Sequence, residues 1–86
     1  MEWHKAKDEL PKKNGRYLVV TQIHFHRFME VLRFAVNLRE IDRWDFPEEN
    51  HPGWYDLDSE SGYYERSCVT HWAELPEFPG EENAEV

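Results

Sequence analysis

A chain of 86 residues and 10.5 kDa has room for one domain and not for two. Leu, Ile, Val and Phe supply only 19 residues, but 4 Trp, 4 Tyr and 5 Phe carry enough buried area to exclude a wholly disordered chain. The formal charge of −8 argues against non-specific nucleic-acid binding, which needs clustered Lys and Arg.

Residues 1–15 read as an irregular segment. Pro11 disfavours helix at Leu10, and Lys12-Lys13-Asn14-Gly15 is a turn. Arg16–Ile23 is the clearest strand, β-branched and aromatic, with Tyr17–Val20 apolar on both faces. Residues 28–38 fit two periods. A strand aligns Phe28, Leu32, Phe34, Val36 and Leu38 on one face, interrupted by Glu30; a helix groups Phe28, Val31, Leu32 and Ala35. The longer alternating set favours the strand.

Asn37-Leu38-Arg39-Glu40 has the form of a capping box. It predicts a short helix over 38–45 with Leu38, Ile41 and Trp44 inward, followed by loop through Gly53. Trp54–Asp58 reads as an edge strand. Ser59–Gly62 is a turn. Tyr63–Ser67 leads into a last strand through Ala73. The expected fold is α+β, mostly β: a small antiparallel sheet of three or four strands with one short helix and an irregular N-terminal segment. Leu18, Val20, Phe34, Trp54, Val69 and Trp72 are the expected core. Residues 1–79 form a single compact domain in this reading, and 80–86 an acidic disordered tail.

The single cysteine, Cys68, excludes a disulfide framework and a Cys-based structural zinc site, and suits a reducing cytoplasm. No run approaches the roughly 18–20 apolar residues of a membrane helix. Met1–Lys5 lacks the apolar stretch of a signal peptide. These features predict a soluble cytoplasmic protein.

The charge is unevenly placed. Residues 1–43 hold nine Lys or Arg against six acids, a net of +3; residues 44–86 hold Arg66 alone against twelve acids, a net of −11. The two halves are expected to face each other and partly neutralise. The alternative is an acidic face that meets a basic partner.

Val69-Thr70-His71-Trp72-Ala73-Glu74-Leu75-Pro76-Glu77-Phe78-Pro79 resembles the V-T-H-W-x-x-L-P-x-x-P ending of a family of small phage and prophage proteins, the domain of unknown function 551. Trp3, Leu10-Pro11, Gly15 with Tyr17–Val20, and Trp54-Tyr55-Asp56 extend the resemblance along the chain. Residues 37–53 look like an insertion relative to that pattern. The resemblance implies a compact β-rich domain in a phage, prophage or bacterial host setting. It implies no activity.

No motif specifies a reaction. His24-Phe25-His26 would place two imidazoles on one face of a strand, and zinc would need His51 or His71 with Asp56 or Asp58 to complete it. HxH is short and common, so solvated histidines remain the simpler reading, and no cofactor is expected. His71 lacks a nucleophile on its own strand face. Partner contacts are assigned to Trp54, Asp56, Asp58 and His71. The leading expectation is an accessory protein that binds another protein with a basic surface, not nucleic acid or membrane. A metal-binding or enzymatic role for the histidines with Asp56 and Asp58 is the first alternative. An acidic nucleic-acid mimic acting on a host protein is the second.

Overall fold

The computed structural model describes residues 2–75. They form one antiparallel sheet of six strands: β1 (His4–Lys5), β2 (Gly15–Ile23), β3 (His26–Ala35), β4 (Gly53–Asp58), β5 (Gly62–Arg66) and β6 (Val69–Glu74). The spatial order is β1-β6-β2-β3-β4-β5. The proposed tail, 80–86, lies outside the described residues.

β2 and β3 pair along their whole length, from Gly15 opposite Phe34 to Ile23 opposite His26. The two-residue turn His24-Phe25 joins them, with His24 at φ 57°. Two-residue hairpin turns need positive φ, and His tolerates it better than most side chains. Alternation along the paired strands then sorts the side chains between two faces. Tyr17, Val19, Leu32, Phe34, Trp54 and Trp72 form one buried cluster. β2 and β3 lie between the strands that carry Trp72 and Trp54, so three strand spacings separate them, about 14 Å in a flat sheet. Their ring centroids are 6.5 Å apart. The sheet is therefore curled around these rings, and this face is concave. Tyr17 meets Trp72 and Trp54 edge-on at 5.4 and 6.0 Å.

The N-terminal segment closes one end of this core. His4 stacks on Trp72 at 4.3 Å, and the Trp72 indole N–H donates to the Glu9 carbonyl at 3.0 Å. At the other end lies a polar network. Thr21 Oγ1 donates to Glu30 Oε2 at 2.7 Å, and Arg66 Nη2 donates to the same oxygen at 2.8 Å. Arg66 Nη1 lies 3.6 Å from Asp56 Oδ2. Glu30, which interrupts the apolar alternation of β3, is thus the anion that Arg66 reaches from β5, across β4. Among the described residues no buried side-chain polar atom lacks a hydrogen-bond partner.

On the convex face, residues 36–52 cover β4, β5 and the end of β3. Leu38 and Phe46 pack there on Ala35 and Tyr55, with Ile41 and Tyr63 beside them. The rest of that face, on β2 and β3, is uncovered: Met29 is 65% exposed and Val31 45%.

The expected α+β fold with three or four strands is corrected by this architecture. The predicted helix over 38–45 is a single 3-10 turn, Leu38–Glu40. Asn37 caps it as expected, its side chain accepting from the Arg39 N–H. The helix stops because the Asp42 carboxylate accepts from the Trp44 N–H at 2.8 Å and from that of Asp45 at 3.3 Å, a local turn that competes with helical bonding. Trp44 is consequently 92% exposed rather than inward. The extra strands are β1, which pairs with β6 through His4 and Lys5, and β5, which turns back on β4 instead of running into the last strand. The core set is corrected as well. Phe34, Trp54 and Trp72 are buried, but Leu18, Val20 and Val69 are only partly so, and Tyr17, Val19 and Leu32 take the inner places. On β2 both phases of the alternation are apolar, so the period alone gives no inward side.

Gly62 opens β5 at φ +87°, and a Cβ there would lie 2.6 Å from Asp45 Oδ2. That same oxygen accepts from the Tyr63 N–H at 2.9 Å. Gly62→Ala is expected to cost about 1–3 kcal/mol from backbone strain and displacement of Asp45. Urea unfolding followed by Trp fluorescence measures it; an unchanged midpoint would show that the turn is free to rearrange.

Candidate binding surface

The histidines singled out in the sequence are dispersed. His24 sits in the β2–β3 turn, His26 begins β3, His51 lies in the covering segment, and His71 is on β6. His24 lies within the turn and His26 at the start of β3, so the two do not share one strand face. Among the described residues, no three His, Cys, Asp or Glu side chains are grouped to hold a metal ion. Trp54, Asp56 and Asp58 alternate on the concave side of β4. Trp54 belongs to the core, Asp56 meets Arg66, and Asp58 Oδ1 accepts from the Glu60 N–H at 2.8 Å in the following turn. His71 is on the opposite face, beside Val20 on β2. The fold therefore brings Asp56 and Asp58 to one edge and His71 to another region.

His71 faces the convex side because it alternates with the inward Trp72, and a bulge separates it from Val69, which packs against the same cluster as Trp72. β6 pairs with β2 at Val20–His71 and then at Thr21–Val69, leaving Thr70 as the extra residue. The Thr70 hydroxyl donates to the Val20 carbonyl at 3.2 Å, and His71 Nδ1 lies 3.0 Å from that hydroxyl. His71 lines an open cavity of about 510 Å³ together with Trp3, Val20, Arg27, Phe28 and Met29. It also lines a neighbouring hollow of about 340 Å³ with Lys5, Lys7, Val69 and Thr70. Trp3 and His71, two residues that carry the family resemblance, thus converge on one cavity. Arg27, Met29 and Phe28 were not singled out in the sequence. The available signal was apolar character on both phases of the paired strands, more than a single core requires.

Charge is separated across the molecule. Residues 36–66, which hold β4, β5 and the covering segment, carry nine carboxylates against three arginines, a net of −6. Residues 2–35 carry seven Lys or Arg against four acids, a net of +3. Among the described residues, both Arg-to-carboxylate ion pairs use Arg66, and no Lys or Arg of residues 2–43 lies within 4.0 Å of a carboxylate. Among the described residues, the Arg66–Glu30 pair is thus the only Lys/Arg-to-carboxylate ion pair that joins the two halves.

The perturbed titrations belong to the scaffold. Burial pushes the Tyr17 hydroxyl pKa up, as does the Glu74 charge. Burial also raises that of Tyr55, against the pull of Arg33. Burial alone would raise the Glu30 carboxyl; hydrogen bonds from Thr21 and Arg66, with the Arg66 charge, outweigh it and hold the group below the usual value. Burial opposes the Arg66 charge, but its bonds to Glu30 and Cys68 raise its pKa. None of these four groups lines the cavity at His71. Among the described residues, no helix is long and apolar enough to cross a membrane.

No match to the chain was found among curated proteins or among solved structures. The family model described as "Protein of unknown function (DUF551)" matches residues 2–80. That span takes in the six strands, the covering segment and both walls of the cavity, and the chain belongs to this family of proteins of unknown function.

Proposed function

We infer that this protein is a binding module rather than an enzyme, an accessory protein of phage or prophage type that acts in the bacterial cytoplasm. Its acidic edge, built from the β4–β5 hairpin and the covering segment, docks on the basic surface of another protein. The observation that carries this reading is the net charge of −6 on residues 36–66, with Arg66 already engaged by Glu30 and Asp56. A field of one sign speeds encounter with a cationic surface and repels phosphate. The phage setting rests on the family resemblance, and the cytoplasm on the lone Cys68.

Glu40, Glu48 and Glu60 are exposed, and none of their side chains makes a hydrogen bond to the described residues. Changing all three to Gln is expected to leave the fold intact and to release basic proteins captured from a bacterial lysate. The wild-type capture should also weaken above roughly 0.1 M salt, where screening falls below about 10 Å. Retention of the same proteins by the triple variant contradicts the reading. So does sub-micromolar binding of plain DNA or RNA in a low-salt gel shift.

A further inference from the structure

The uncovered part of the convex face has the opposite polarity to the acidic edge. The cavity at His71 is lined by the apolar residues Trp3, Val20, Phe28 and Met29 together with Arg27. No carboxylate lines it, and none lines the neighbouring hollow, where Lys5 and Lys7 stand. Arg27 has no carboxylate within 4.0 Å among the described residues. Next to the cavity, the hairpin tip exposes Phe25 at 97% and Ile23 at 49%. A protein of net charge −8 thus presents a concave apolar site whose ionisable groups are all basic or imidazole.

We propose that this cavity is the docking site for an acidic segment of another protein that inserts a bulky apolar side chain between Trp3 and Met29 and sets a carboxylate on Arg27. Apolar surface supplies the affinity and the cation fixes orientation, the usual division in a concave site. His71 lines both hollows, so an extended segment can continue from Arg27 towards Lys5 and Lys7. An anionic membrane or a nucleic acid fits less well. Each presents an extended field of negative charge to a molecule that is itself strongly negative. A short acidic segment instead comes within a few ångströms of Arg27, inside the screening length of about 8 Å at physiological salt. This site is independent of the acidic edge and would let the protein bridge two partners.

The test is selection of a random twelve-residue displayed peptide library on the immobilised full chain. The expected result is enrichment of peptides that combine Asp or Glu with Phe, Trp, Leu or Met. A synthetic peptide from that set, labelled with fluorescein, should lose at least about tenfold in affinity on Arg27→Glu and on Met29→Glu. Both positions are exposed, so the unfolding midpoint of each variant should match the wild type. Glu40, Glu48 and Glu60 changed together to Gln should leave the peptide affinity unchanged, which separates this site from the acidic edge. Enrichment of basic peptides, no enrichment, or equal affinity in the Arg27→Glu variant overturns the proposal. So does co-sedimentation with phosphatidylglycerol vesicles in the absence of peptide enrichment.

Discussion

Phe34→Ala is expected to lower the free energy of unfolding by about 3–5 kcal/mol, the usual cost of removing a buried aromatic ring. Phe34 is 1% exposed. Its ring meets Trp54 edge-on at 4.8 Å and Tyr17 at 6.4 Å, so its loss opens a void where three strands converge. The chain has few aliphatic residues to collapse into that space. Domains as a class hold only about 5–15 kcal/mol in total, and one this small belongs at the low end. The variant should therefore be largely unfolded near 37 °C. Urea denaturation of wild type and variant, read by Trp fluorescence, measures the difference. A loss below about 1 kcal/mol would mean that the ring is not where the core depends on it.

Arg66→Met is the second large effect, at about 2–3 kcal/mol. A fully buried pair broken on one side costs about 3–5 kcal/mol, but the Glu30 side chain keeps 32% exposure, which lowers the figure. The loss leaves Glu30 facing Thr21 and the rings of the concave face without its cation. Glu30→Gln tests the same contact through pH. Glu30 has a lower carboxyl pKa in the folded protein than the ordinary value of 4.5. Its contribution is therefore complete above 4.5 and is lost as pH falls through the lower, folded value. Stability measured from pH 7 down through that range should show this acid-induced loss in the wild type. Glu30→Gln should be less stable at neutral pH and should lack that component. Identical pH profiles would remove Glu30 from the account.

The strands over β2, β3, β4 and β6 were legible because β-branched and aromatic residues cluster there. What escaped has identifiable physical causes. β1 is two residues long, too short for any period, and exists only because Trp72 and His71 on β6 offer pairing partners. The β2–β3 turn contains neither Gly nor Asn, and His24 accepts the positive φ that those residues usually supply. Val19 could not be told from Leu18 as the inward residue, since their phase is set by which face curls. Glu30 breaks the apolar alternation of β3, and its partner Arg66 lies 36 residues away, beyond any local pattern. Of the assigned contact residues, Asp56 and Asp58 lie at the acidic edge, Trp54 lies in the core, and His71 lies on the other face. The cavity draws Trp3, Val20, Arg27 and His71 from separate segments, and no local pattern announces such a meeting.

The central claim is that the two faces of the sheet differ in role: the concave face holds the fold, and the open convex face is free to bind. Leu32 and Val31 are neighbours on β3 that point to opposite faces, 1% and 45% exposed. Equilibrium urea unfolding of Leu32→Ala and Val31→Ala, side by side, tests the claim most directly. The account predicts a loss of about 2–4 kcal/mol for Leu32→Ala and under about 1 kcal/mol for Val31→Ala. Equal losses, or the larger loss at Val31, would contradict it.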